Sequence, residues 1–148
     1  MHVSGLLLFV LTIAPFAALA EDSIFDRANT VVTKLEVLNN VGRTCDYQLS
    51  VNGIDGVKSD SCQKYQKNIQ GQYFDEIGKE CVRLSNWYEE KRKFIAANTS
   101  YPDKHPTDAK RLVRDMKAVN KACHPDSLAS YEYLQKPAQK MKALGSLK

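Results

Sequence analysis

Histidine is nearly absent from this chain, which has three in 148 residues, at positions 2, 105 and 124. Neither His105 nor His124 stands in a His-Glu-x-x-His, Cys-x-x-Cys-His or other zinc-ligand spacing, so a metal centre is not expected. Gly-x-Ser-x-Gly, a phosphate-binding glycine loop and Gly-x-Gly-x-x-Gly are missing as well. Their absence removes the usual serine-hydrolase, nucleotide and dinucleotide chemistries. The adjacent acids Asp75-Glu76 and Glu89-Glu90 would point about 100° apart on a helix and not converge on a substrate. Cys123 and His124 are sequence neighbours, a poor arrangement for a nucleophile and its base. Met116 and Met141 fall at ordinary apolar positions, where core packing explains them better than haem ligation. No enzyme and no cofactor is expected.

Long apolar runs are also lacking. The longest, Leu6 to Ile13, is too short to cross about 30 Å of hydrocarbon. It precedes Pro15 and the small residues Ala18-Leu19-Ala20, and residues 1 to 20 contain no Lys, Arg, Asp or Glu. That pattern predicts a signal peptide over residues 1–20 and a single mature helical domain over 21–148, with no transmembrane segment in the mature chain. The expected location is secreted or periplasmic. Charge is then unevenly placed: residues 21–100 hold 11 basic and 12 acidic side chains, and residues 101–148 hold 10 and 5.

What is present is helical period. Ser23 and Asp26 form a variant capping box, followed by Ile24, Ala28, Val31, Leu35 and Leu38 at steps of three and four. The first helix is expected to stop near Asn39-Asn40-Val41-Gly42, with a loop over 43–59 marked by Asn52-Gly53 and Asp55-Gly56. Cys62, Tyr65, Ile69, Tyr73, Ile77, Cys81, Leu84, Tyr88 and Ile95 predict a long helix over 60–97, with a break near Gly71. Residues 98–106, with two prolines, read as a loop. A third helix runs from Thr107-Asp108 to Cys123, and a fourth from Asp126-Ser127, kinked at Pro137. The fold class is all-α: a small antiparallel bundle of four to five helices stapled by two disulfides.

Four cysteines, Cys45, Cys62, Cys81 and Cys123, imply disulfides in an exported chain and permit three connectivities. Helix geometry selects among them. On one helix, Cys62 and Cys81 would be separated by about 28 Å of rise, too far for a bond. In an antiparallel pair the midpoint of a cross-link lies in the connecting turn. The midpoint of Cys45 and Cys62 falls between Gly53 and Ile54, and that of Cys81 and Cys123 falls on Pro102. Both are in expected loops, so Cys45–Cys62 and Cys81–Cys123 are predicted. The same register places Leu38 opposite Ile69 and Ile95 opposite Ala109.

The basic residues Lys91-Arg92-Lys93, Lys110, Arg111, Arg114, Lys117 and Lys121 supply the remaining signal. In an exported chain such a stripe faces an acidic protein or an anionic surface rather than nucleic acid. With Tyr101, which lies off the apolar stripes, Arg111, Arg114, Lys117 and Lys121 are the candidate partner-binding residues. The expected function is surface recognition of a protein or anionic partner, of the inhibitor, immunity or effector type. The alternative is a carrier of a small apolar or lipid ligand within the bundle, which would require Tyr65, Tyr73, Trp87, Tyr88 or Met116 to line a cavity. Asn98-Thr99-Ser100 matches a glycosylation acceptor pattern.

Overall fold

The computed structural model describes residues 23–69 and 72–146; the expected signal peptide and the expected break at Gly71 lie outside them. The described residues fold into α1 (Ile24–Asn52), a 3-10 segment (Gly53–Lys58), α2 (Asp60–Ile69), α3 (Gln72–Ala97), α4 (Tyr101–Lys104), α5 (Pro106–Cys123), α6 (Pro125–Ala129), a second 3-10 turn (Glu132–Leu134) and α7 (Lys136–Ala143). The all-α class and both disulfides are as the sequence predicts. The Cα separations are 4.5 Å for Cys45–Cys62 and 5.3 Å for Cys81–Cys123.

Helix α1 begins where expected. The Ser23 hydroxyl accepts the Asp26 amide hydrogen, satisfying a donor that the first turn leaves without an intrahelical partner. It does not end at Asn39–Gly42. The helix continues for another ten residues past Gly42 to Asn52, so the loop expected over 43–59 shrinks to its last part. Tertiary contacts overrule the local cap signal. Asn39 Oδ1 accepts the Tyr133 amide hydrogen at 3.0 Å, and a β carbon on Gly42 would overlap the Tyr133 carbonyl. These two residues form the seat of the C-terminal segment. The actual stop is Gly53, at φ 55°, whose amide donates to the Leu49 carbonyl. Glycine adopts this left-handed geometry without a β-carbon clash.

Helix α1 is the spine of the molecule. Cys45–Cys62 and the Arg27–Glu80 ion pair set α2 and α3 antiparallel to it, and Cys81–Cys123 sets α5 antiparallel to α3. Helix α5 therefore runs parallel to α1, with Arg114 over Phe25 near one end and the segment after α6 reaching Asn39 further along. The larger core joins Val31, Leu35 and Leu38 of α1 to Ile77 and Leu84 of α3 and Val119 and Ala122 of α5. Ile69 packs against this core, which contains Leu38, its expected opposite number. A smaller core gathers Cys45, Leu49, Cys62, Tyr65 and Met141.

Two further expectations are corrected. The loop over 98–106 contains a single helical turn, α4, with Pro102 near its start, a position where its missing amide hydrogen costs nothing. The fourth helix is not one kinked rod but α6, a 3-10 turn and α7, with Pro137 in the first turn of α7. His124, rather than Asp126-Ser127, caps α6, its Nδ1 accepting from the Asp126 amide at 3.3 Å. The C-terminal segment is held to α2 by the Tyr65 hydroxyl, which donates to the Leu134 carbonyl at 2.7 Å, and to the spine by the Asn39 contact. It is also held to the spine by Lys140, whose Nζ lies 2.8 Å from Asp46 Oδ1 and donates to Ser50 Oγ at 2.7 Å. Among the described residues no helix is long and apolar enough to cross a membrane.

Candidate partner-binding site

Helix α5 starts at Pro106 and buries Ala118, Val119, Ala122 and Cys123. Small residues on that face let the helix sit close to α1, and steps of three and four carry the basic residues to the other face. Lys110, Arg114, Lys117 and Lys121 all line one open cleft of about 500 Å3 between α5 and the start of α1, together with Phe25, Asn29, Val113 and Ala118. Four cations thus surround an apolar floor. The Arg114 guanidinium lies 4.5 Å from the Phe25 ring centroid, a cation–π distance. Its Nε and Nη2 both donate to Asp115 Oδ1, at 2.9 and 2.7 Å. Arg114 is therefore oriented from two sides. Lys110, Lys117 and Lys121 have no anionic partner among the described residues.

The five residues singled out from sequence do not form one site. Arg114, Lys117 and Lys121 share the α1/α5 cleft. Arg111 points to the other side of α5, where it pairs with Asp108 at 3.1 Å and lines a cleft of about 350 Å3 with Tyr101, Trp87 and Asp115. Tyr101 meets Phe94 edge-on with centroids 5.0 Å apart, and its ring lies 4.8 Å from that of His105. Phe25 was missed. Its only sequence signal was that it sits one position off the Ile24–Ala28–Val31 stripe, an apolar residue without an assigned place in the core.

Two neighbouring depressions differ in character. The larger, about 820 Å3 between α1 and α3, mixes Arg27, Lys34, Lys79 and Arg83 with Glu76 and Glu80 around Ile77 and Trp87. Arg27 Nε donates to Glu80 Oε1 at 2.6 Å, and Arg83 lies 3.6 Å from Oε2. That hydrogen bond from Arg27 is the main reason the Glu80 carboxyl is held below the usual glutamate range. Two acids offset half of the four bases there, whereas no acid lines the α1/α5 cleft, so this cleft has less electrostatic preference for an anion. The second depression is a hollow of about 420 Å3 at the α3–α5 end, walled by Ile95, Tyr101, Pro102, Pro106, Ala109, Leu112 and Val113, with Lys110 at its edge. Ile95 and Ala109, expected to face each other, do so across this hollow.

Among the described residues no three His, Cys, Asp or Glu side chains gather as a metal site would require. All four cysteines are bonded, and bonded sulfur offers no thiolate for nucleophilic attack or metal binding. Comparisons with protein-family models, with curated proteins and with solved structures find no match for this chain.

Proposed function

We propose that this is an exported helical binding protein that recognises an acidic partner through the α1/α5 cleft. The observation that carries the reading is the convergence of Lys110, Arg114, Lys117 and Lys121 on one concavity floored by Phe25 and Ala118. Apolar floor with cationic rim is the composition of recognition surfaces: burial of the floor supplies affinity, and the charges select partners and speed encounter. Export is supported by the apolar, charge-free N-terminal stretch followed by small residues and by the two disulfides, which persist in oxidising compartments. The reading is binding rather than catalysis.

The carrier reading in its original form, a ligand inside the bundle, has less support. Tyr65 is 2% exposed and its hydroxyl is engaged by Leu134, Tyr88 packs on the larger core, and Trp87 packs there too while its outer side lines surface clefts. These side chains behave as packing.

The test is affinity capture from the native secretome by the oxidised protein, followed by mass spectrometry, with K117E/K121E as the control. An acidic partner retained by the wild type, lost by the variant and released by raised salt is the expected outcome. Retention unchanged in K117E/K121E, or unaffected by salt, would overturn the assignment of the cleft.

A further inference from the structure

The basic cleft and the apolar hollow are not separate features. Lys110 and Val113 line both, so the two concavities meet along α5. Val113 is 47% exposed at that junction. On one side lie Arg114, Lys117, Lys121 and the Phe25 ring; on the other, a hollow in which Ile95, Pro102, Pro106, Ala109 and Leu112 present only carbon and Tyr101 a single hydroxyl. From Pro106 to Lys121 the helix rises about 22 Å. The surface along that length is apolar at one end and cationic at the other.

We infer that the hollow and the cleft form one site for a single-chain anionic amphiphile, an alkyl phosphate or carboxylate, with its chain in the hollow and its head group among Lys110, Arg114, Lys117 and Lys121. This rests on the reading of the α1/α5 cleft as an anion-recognition surface and adds the ligand class. Three points select such a ligand. Charge is complementary only at one end, so a uniformly polar polyanion leaves the hollow unused. Water in a carbon-walled hollow lacks hydrogen-bond partners, so an alkyl chain displaces it favourably. The hollow, at about 420 Å3, equals about one turn of a peptide helix 10 Å across, which suits an alkyl chain better than the face of an amphipathic helix. It also falls in the usual range of small-ligand sites.

Isothermal titration of the oxidised full-length protein, below the micelle concentration of each probe, tests this. The probes are dodecyl phosphate, dodecyltrimethylammonium and inorganic phosphate. Each fully buried methylene raises affinity about fourfold, so even partial burial of the chain should make dodecyl phosphate bind at least about tenfold more tightly than inorganic phosphate. K117E/K121E should weaken dodecyl phosphate binding. Ala109→Phe, which fills the hollow, should remove the advantage of the chain. If A109F loses its helical circular dichroism, Pro106→Asp, at an exposed first-turn position, serves instead. Equal binding of the ammonium probe would overturn the inference, because head-group charge would then play no part. Equal affinity for dodecyl and inorganic phosphate would also overturn it while leaving the acidic-partner reading standing. Cosedimentation with anionic vesicles without binding of the monomeric probe would reassign the surface to a bilayer and overturn the groove site.

Discussion

Arg27 and Glu80 meet at 2.6 Å on the register already set by the first disulfide. Eighteen residues before Cys45 lies Arg27, and eighteen after Cys62 lies Glu80. Helices α2 and α3 therefore keep one antiparallel register against α1. The pair is also a pH sensor of modest size. Its Glu80 carboxyl is depressed in the folded state, first by the Arg27 hydrogen bond, so its contribution is present above the unfolded glutamate value near 4.3 and is lost as pH falls through the folded one. The side chains are 26% and 22% exposed, and a pair of this kind contributes no more than about 1 kcal/mol. Glu80→Gln should be less stable than wild type near neutrality, and its melting temperature should fall less between pH 5 and pH 2. Parallel acid limbs for the two proteins would remove this role.

At Gly42 the space is already occupied. Alanine there gains about 1 kcal/mol of helix propensity, but its methyl group would strike the Tyr133 carbonyl, part of the backbone and unable to rotate away. Overpacking of this sort typically costs 1–3 kcal/mol. Gly42→Ala should therefore show a net loss of stability in urea unfolding. Gly78 has nothing near its missing β carbon and lies inside α3, so Gly78→Ala should gain up to about 1 kcal/mol.

Tyr65 combines burial with a hydrogen bond to a distant carbonyl. Removing the hydroxyl in Tyr65→Phe leaves the Leu134 oxygen without its donor and should cost about 1–3 kcal/mol. Burial also pushes the Tyr65 phenol above its ordinary value. In a spectrophotometric alkaline titration the Y65F protein should lack one late-ionising tyrosine and keep Tyr131, whose phenol is also pushed up, by burial and by the Glu36 charge. Loss of an early-titrating tyrosine instead would contradict the buried placement.

The two disulfides should open in order. Cys45 and Cys62 are fully buried, whereas Cys81 is only partly buried and Cys123 is 8% exposed. Limiting reductant should attack Cys81–Cys123 first, and trapping with iodoacetamide followed by peptide mapping would reveal the order. Cross-links spanning 17 and 42 residues correspond to about 3 and 4 kcal/mol in the chain-entropy treatment. Full reduction should lower the melting temperature substantially.

The candidate site was partly legible. Positions 110, 114, 117 and 121 step by four, three and four, which places them on one face of any helix, and that relation survived intact. Arg111 lies about 100° of helix rotation from Lys110, and only the fold shows that this direction meets Trp87 and Tyr101; Tyr101 stands on α4, whose place beside α5 has no local signal. Phe25 entered the cleft from α1, which comes beside α5 only in the folded molecule. Its contribution has no local signature.

Helical period and cysteine positions by themselves determined the all-α class, the antiparallel pairing and the disulfide connectivity, because a rise of 1.5 Å per residue leaves few ways to bring sulfur atoms together. Tertiary structure decided where α1 ends. Asn39 and Gly42 carry the local chemistry of a helix stop, yet they meet Tyr133, and Asp46, one turn beyond, meets Lys140. The Asn39–Tyr133 and Asp46–Lys140 contacts each span 94 residues. Contacts of that span outweigh a cap preference of about 1 kcal/mol, since each buried partner left unpaired would cost as much or more. The same long-range packing split the C-terminal helix, and the docking of α1, α3 and α4 on α5 brought the hollow and the basic cleft side by side.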